Sequence, residues 1–233
     1  MTEQDFPAGI SAIVPARNEA DRIGDTIAAA AALPSVLEII VVDDASLDAT
    51  SGIAEAAGAR VVRLTSNVGK AGAVMAGLAA ARFRWILLLD ADLGSTASEA
   101  FRLCGPVVDG TADMTIARFP EIPGRGGGSG IVVRLARWGA GRLAGIALRA
   151  PLSGQRCLTR EAVATALPFS GRFGMETSLN IAVARAGLRI VEVETTMDHR
   201  VTQNDWRSRI HRARQCWDVG VALAKSARYP WAT

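Results

Sequence analysis

Two aspartates one residue apart, Asp90 and Asp92, end an unbroken apolar run, Ile86-Leu87-Leu88-Leu89. Carboxylates at that spacing can share a hard divalent cation, which prefers oxygen ligands and leaves coordination positions for phosphate. Acidic residues also end strands and cap the following helix, here near Gly94-Ser95-Thr96. What lifts the pair above that ordinary role is its company. Three more polar clusters follow apolar runs upstream: Pro15-Ala16-Arg17-Asn18-Glu19, Asp43-Asp44-Ala45-Ser46 and Asn67-Val68-Gly69-Lys70. Asp43 or Asp44 can accept hydrogen bonds from a ribose or a base N–H, and Lys70 at a helix start can meet phosphate. Downstream, Glu176 follows a glycine-rich turn at a helix start. There it could take a proton from an attacking hydroxyl, or simply favour the helix dipole. His199 is either a metal ligand beside Asp92 or a plain surface histidine. Arg156 could bind an acceptor anion or pair with Glu161 or Glu176.

The elements that must position these groups alternate regularly at first. Ile10–Val14 reads as a strand broken by Pro15, and Ala20–Ala32 as a helix closed by Pro34. Leu37–Val42 is a strand; Asp48 caps a helix running to Ala57, with Gly58 ending it. Ala59–Leu64, an alanine-rich helix to Ala81, and the run at Trp85–Leu93 follow. Short β-α-β connections predict a parallel sheet with right-handed crossovers. A run apolar on both faces, such as Ile86–Leu89, suits a central strand covered by helices on both sides. Open sheets of this kind bind ligands at the carboxyl ends of their strands, where all four polar clusters would lie.

Beyond Asp92 a helix is expected around Ser98–Cys104 and a strand at Ala112–Ala117. Then the pattern fails. Phe119–Gly130, FPEIPGRGGGSG, is mobile or needs unusual backbone angles. Ile131–Leu148 is an amphipathic helix broken near Gly139–Gly141, with Arg134, Arg137, Arg142 and Arg149 along it. Those arginines could meet an anionic membrane surface, bind a phosphorylated acceptor or form a solvated face. Leu152–Thr159 and Leu188–Val193 read as strands, with a helix starting near Met175 between them. The last helix, Asp205 to Ala227, is basic early on, from Arg207 to Arg214. No repeat or linker appears, so residues 1–233 read as a single domain, with about 1–95 as a nucleotide-binding half and about 96–233 as an acceptor half.

Composition narrows the class. At 49% hydrophobic and 21% charged the chain is not disordered. A net charge of +3 does not argue for nucleic acid. Cys104, Cys157 and Cys216 lack metal-ligand spacing and read as reduced thiols of a cytoplasmic protein. No window approaches the ~20 apolar residues of a membrane span, and the acidic N-terminus is no signal peptide.

The order IVPARNEA, VVDDASLDAT, NVGKAGAV, LLLDADL resembles the donor half of the family 2 glycosyltransferases, covering about the first 95 residues. The resemblance implies an α/β, GT-A (Rossmann-like), mostly parallel central sheet with helices on both faces. It implies inverting transfer from a nucleotide-sugar, a UDP- or GDP-sugar, with Mg²⁺ or Mn²⁺. Carried over, Pro15, Arg17 and Glu19 hold the nucleoside, and Asp43 or Asp44 contacts base or ribose. Lys70 faces the pyrophosphate or base. Asp90, with Ala91, meets ribose or sugar, and Asp92 binds the metal.

The stretch from PLSGQRCLTR to MDHR is similar to the bacterial glucosyl- and mannosyl-3-phosphoglycerate synthases. That likeness implies acceptor contacts at Gly154, a functional carboxylate at Glu176 and a metal ligand at His199. The glycine-rich GGGSGIVVRL, with Gly128 and Ser129, corresponds to an acceptor loop. In that group the loop carries a G-R-V-T type sequence, unmatched here at Gly130-Ile131-Val132-Val133. A small or lipid-phosphate acceptor, peripheral contact with the inner face of a membrane, and homodimerisation all stay open.

A polyprenyl-phosphate glycosyltransferase is the alternative within the same chemistry. A nucleotidyltransferase would carry a glycine-rich Arg/Lys signature after the first strand, where Pro15–Glu19 stands. A receiver domain, suggested by Asp43-Asp44, would be about half this length.

Overall fold

The computed structural model describes residues 6–119, 130–169, 174–198, 217, 219–224 and 226–227. Seven strands form one sheet: β1 (Ile10–Ala16), β2 (Val36–Asp43), β3 (Arg60–Arg63), β4 (Trp85–Leu88), β5 (Met114–Arg118), β6 (Arg156–Thr159) and β7 (Ile190–Glu194). Their order is β3-β2-β1-β4-β6-β5-β7. Every pairing is parallel except those of β6, which runs against β4 and β5. The expected mostly parallel sheet is therefore present.

The strands are apolar in both phases because helices cover both faces. Val14, Val41, Leu87 and Leu89 pack with α1 (Ile23–Ala31), α2 (Thr50–Ala56) and α4 (Phe101–Val108) on one side. Ile13, Ile40, Ile86 and Leu88 pack with α3 (Gly69–Ala80), α6 (Arg160–Thr165) and α7 (Met175–Arg185) on the other. Close packing explains the small residues in α3: a Cβ on Gly77 would lie 2.4 Å from Ile13 Cγ2. A third, smaller cluster joins α5 (Gly130–Ala144) to α7 and the C-terminal helical residues through Val132, Ala136, Ile181, Val219 and Leu223.

Several boundaries differ from expectation. Pro15 does not break β1, which runs on to Ala16 opposite Asp43. Leu89 N donates to Ile13 O, so Ile13, and Pro15 two residues on, turn their polar groups towards β4. Since β4 ends at Leu88, proline's missing N–H there forfeits no ladder bond. The first helix starts at Ile23 rather than Ala20, because residues 18–20 are bonded to the loop after β2. A 3₁₀ segment, Gly94–Ala100, precedes α4. Helix α5 is unbroken at Gly139–Gly141. Gly139 lacks a side chain because Leu223 occupies that space, 2.1 Å from an ideal Cβ. Residues 120–129 of the glycine-rich stretch, with Gly128 and Ser129, lie outside the described residues, as do His199 and Arg207–Arg214.

The chain proceeds from β1 outward through β2 to β3, then returns to place β4 on β1's other side. That reversal makes a crevice at the carboxyl ends of β1 and β4, the usual ligand position in such sheets. Antiparallel β6 adds its own beginning to the same edge, since Leu88 pairs with Arg156.

Candidate active site

Two loops build the first wall. Asn18, at φ +55°, donates its N–H to Ser46 Oγ (3.0 Å), and its Oδ1 accepts from Leu47 N (2.8 Å). Glu19 N donates to Thr50 Oγ1 (2.8 Å) and Ala20 N to Asp48 Oδ2 (3.2 Å). The loops after β1 and β2 are thus latched together by the side chains of Asn18, Ser46, Asp48 and Thr50. Asp48 also accepts from Thr50 N (3.0 Å), the first residue of α2, but the N-cap position itself is Ala49, one residue later than expected.

Asp43 and Asp44 are both buried. Asp43 accepts from Ser46 N at 2.9 Å and from the Ser51 hydroxyl. Burial alone would raise its pKa; the hydrogen bonds from Ser46 and Ser51 outweigh burial and hold the carboxyl below its ordinary value. Asp44 grips the start of α3, accepting from Val68 N (2.7 Å) and Gly69 N (2.9 Å). Gly69 stands at φ +80°, a left-handed conformation that favours glycine. Asp44 therefore holds the loop that aims Lys70.

At the carboxyl end of β4, α1 fixes the backbone between the two aspartates and beyond. Thr26, fully buried, donates to Ala91 O (2.8 Å) and accepts from Gly94 N (2.8 Å). Arg22 Nη1 donates to Asp92 O (3.0 Å). Neither residue carries a motif, so only the folded geometry shows their part.

The centre is Lys70. Its ammonium lies 2.6 Å from Asp90 Oδ1 and 3.4 Å from Glu176 Oε1. Burial would lower the lysine's pKa, but the charges of Asp90 and Glu176 outweigh burial and raise it, so the ammonium stays charged. Asp90's other oxygen accepts from Gln155 Nε2 at 2.9 Å. Gly154 closes over the pair: a Cβ there would meet Lys70 Nζ at 2.3 Å and Asp90 Oδ2 at 3.0 Å. Glu176 stands in the first turn of α7 and its side chain is only 10% exposed.

Arg156 departs from its expected acceptor role. It is fully buried, and its guanidinium donates to Ser153 O (2.8 Å), Asn180 Oδ1 (2.6 Å) and Pro151 O (3.1 Å). Burial pushes its pKa down to about 10. With those donors engaged inside the protein, it clamps the 151–155 loop to α7 and does not face an acceptor. Arg17 is exposed at the mouth, Pro15 and Glu19 are half-buried, and Ala91 is buried.

Among the described residues no group of three or more His, Cys, Asp or Glu side chains is placed to hold a metal. Asp92, half-buried at the sheet edge, offers the hard oxygen a divalent cation prefers. The chain before His199 is tied nearby: Asp198 N donates to Thr96 Oγ1 (3.1 Å), four residues past Asp92.

Sheet order, the polar edge and the paired aspartates define an α/β protein with a ligand edge at the carboxyl ends of its strands, and comparison with known proteins gives its family. The chain belongs to glycosyl transferase family 2, whose description matches residues 11–142, more than half its length. It is 30% identical over 198 residues to glycosyltransferase AglJ of Haloferax volcanii, across 82% of this chain and 63% of that protein. It is 31% identical over 198 residues to glucosyl-3-phosphoglycerate synthase of Mycolicibacterium paratuberculosis, across 73% of this chain and 58% of that protein. The chain thus spans less than two thirds of either relative. A crystal structure of glucosyl-3-phosphoglycerate synthase from Mycobacterium tuberculosis superposes with a TM-score of 0.79 at 29% identity, covering 96% of this chain and 81% of that one. That enzyme was solved with Mn²⁺, UDP-glucose and phosphoglyceric acid.

Proposed function

We propose that this protein transfers a sugar, with inversion, from a nucleotide-sugar to a hydroxyl or phosphate acceptor, using Mg²⁺ or Mn²⁺. The observation that carries the reading is Lys70 held between Asp90 and Glu176. One ammonium joins the donor half to the acceptor half, so a donor at the β4 edge lies within reach of Glu176.

In this reading the loops after β1 and β2 hold the nucleoside through Pro15, Arg17, Glu19, Asp43 and Asp44. Asp92 and His199 hold a divalent cation, which supplies charge stabilisation for the departing nucleoside diphosphate. Glu176 accepts the acceptor hydroxyl's proton while that oxygen bonds to the anomeric carbon and the carbon–phosphate-oxygen bond breaks on the opposite face. Gly128, Ser129 and Gly154 border the acceptor. The ligands of the solved Mycobacterium tuberculosis enzyme favour a uridine donor and a phosphorylated acceptor here.

The test is nucleotide binding by calorimetry with and without Mn²⁺. UDP should bind far more tightly with the metal, and Asp92→Ala should remove that difference. Unchanged affinity in the variant would sink the metal assignment.

A second reading, a polyprenyl-phosphate acceptor at a membrane surface, is favoured by the outer face of α5. That face exposes Ile131, Arg134, Trp138 and Arg142, spaced three or four residues apart, and α5 has no acidic residue. No helix among the described residues is long and apolar enough to cross a membrane. Chemistry separates the readings. An ionised phosphate oxygen needs no base, so Glu176→Gln would spare transfer to a lipid phosphate and cripple transfer to a hydroxyl.

A further inference from the structure

Asn180 takes no part in the machinery above except as one partner of Arg156. It lies one turn beyond Glu176 in α7, so the two side chains share a face of the helix. Both Asn180 and Arg156 are wholly buried. Asn180 Oδ1 accepts from Arg156 Nη1 at 2.6 Å, and its Nδ2 donates to Pro151 O at 2.8 Å. The amide's orientation is settled by its neighbours, since its oxygen meets a guanidinium and its nitrogen a carbonyl. Arg156 closes the ring by donating to the same Pro151 O at 3.1 Å, and it also donates to Ser153 O at 2.8 Å. Immediately after Ser153, Gly154 leaves no room for a side chain beside Lys70 and Asp90, and Gln155 donates to Asp90.

This knot joins two parts of the site. Pro151, Ser153 and Arg156 belong to the stretch that closes over Asp90, and Asn180 belongs to the helix that carries Glu176. Met175, Leu179, Ala182 and Val183 press α7 onto the sheet. Burial of that kind is non-directional. Hydrogen bonds of these lengths are directional, so they fix the rotation and height of α7 at the turn before Asn180. Arg156 also feels Glu176 through space: burial lowers the guanidinium's pKa, and the charge of Glu176 opposes that fall.

We infer that Asn180 is a positioning residue for Glu176: by bonding Arg156 and Pro151 it sets the place of the Glu176 carboxylate beside Lys70. Buried as it is, Asn180 touches neither donor nor acceptor and acts through Glu176. The inference rests on the reading of Glu176 as the base, and the experiment tells the two apart. Lys70 is a reporter that needs no ligand. Lys70 and Lys225 are the only lysines in the chain, so ¹⁵N-lysine labelling gives two ammonium signals in nuclear magnetic resonance, assigned with Lys225→Arg. The Lys70 signal reports its contacts with Asp90 and Glu176. Asn180→Ala should move that signal towards its position in Glu176→Gln, the mark of a loosened carboxylate. With UDP-glucose and Mn²⁺, donor cleavage by Asn180→Ala should fall about tenfold at unchanged KM, the signature of a misplaced group rather than lost binding. In a Glu176→Gln background the same substitution should change the rate by less than about twofold. Asn180→Ser, smaller but still polar, carries the same measurements if Asn180→Ala does not fold. A Lys70 signal at its wild-type position, with only the denaturant midpoint lowered, shows that Asn180 merely holds the fold together; the inference then fails while the base reading stands. An equal fall in rate in the Glu176→Gln background shows that Asn180 acts through another group, and the inference fails in the same way. Donor cleavage by Glu176→Gln at the wild-type rate overturns the base reading and this inference with it.

Discussion

Glu176 and Lys70 decide the chemistry at the scale of single residues. Replacing Glu176 with Gln keeps the shape and removes the ability to take a proton. For a hydroxyl acceptor, turnover should fall by about 10²–10⁴ while donor affinity barely changes, since donor contacts lie in the other half. Steady-state rates and UDP-sugar titration check this; equal losses in both would place Glu176 in the donor site instead. Lys70→Met has a different signature. It leaves Asp90 and Glu176 facing each other without the cation between them, so stability should drop by about 2 kcal/mol, read from denaturant midpoints. A variant as stable as wild type would show that solvent screens the pair. The sequence displayed Lys70, Asp90 and Glu176 as separate candidates, because each sits in a recognisable local motif. It did not display that one ammonium joins them, since Lys70 and Glu176 are more than a hundred residues apart. Arg156 was misread for the same reason. An arginine near a strand end resembles a ligand-binding group until its buried carbonyl partners are seen.

Helices and loops hold these residues through bonds that carry no motif. Thr26 is the sharpest instance: one hydroxyl in α1 spans Ala91 O and Gly94 N, and so sets the path of the chain around Asp92. Thr26→Val conserves shape and leaves both backbone groups short of a partner inside the protein. A loss of about 1–3 kcal/mol is expected, together with weaker metal-dependent nucleotide binding, because the Asp92 turn loosens. Thermal melts and Mn²⁺ titrations check the two effects, and a melt unchanged by the substitution would show that water replaces the hydroxyl. The alternation of strands and helices up to β4 was legible because apolar runs, turn residues and short connections agree there. Beyond β4 the direction of β6 was not legible. The four residues Arg156-Cys157-Leu158-Thr159 carry no mark of strand direction, yet the reversal of β6 is what carries Gly154 and Gln155 to Asp90.

The molecule as a whole is stitched at both edges of the sheet by buried carboxylates, and this gives its stability a defined acid response. At the edge away from the site, Glu38 accepts from Ser11 Oγ (2.6 Å), Arg82 N (2.6 Å) and Arg82 Nε (3.0 Å), tying β1, β2 and the chain after α3 together. Burial would raise its pKa, but the hydrogen bonds from Ser11 and Arg82 outweigh burial and lower it below the ordinary 4.5. Asp43, at the site edge, and Asp113, bound to Arg189, are lowered as well. A carboxyl with a depressed folded pKa binds its proton more readily when unfolded. Its contribution is therefore complete above the unfolded value and disappears as pH falls through the folded one. Stability should be flat near neutrality and decline from about pH 4.5 downward. Glu38→Gln removes one titrating group, so the variant should be less stable than wild type at pH 7 and approach it near pH 2.5. Urea unfolding across that range measures the gap between the two proteins. A gap that stays constant with pH would mean that Glu38 acts through its shape and neutral hydrogen bonds, not its charge.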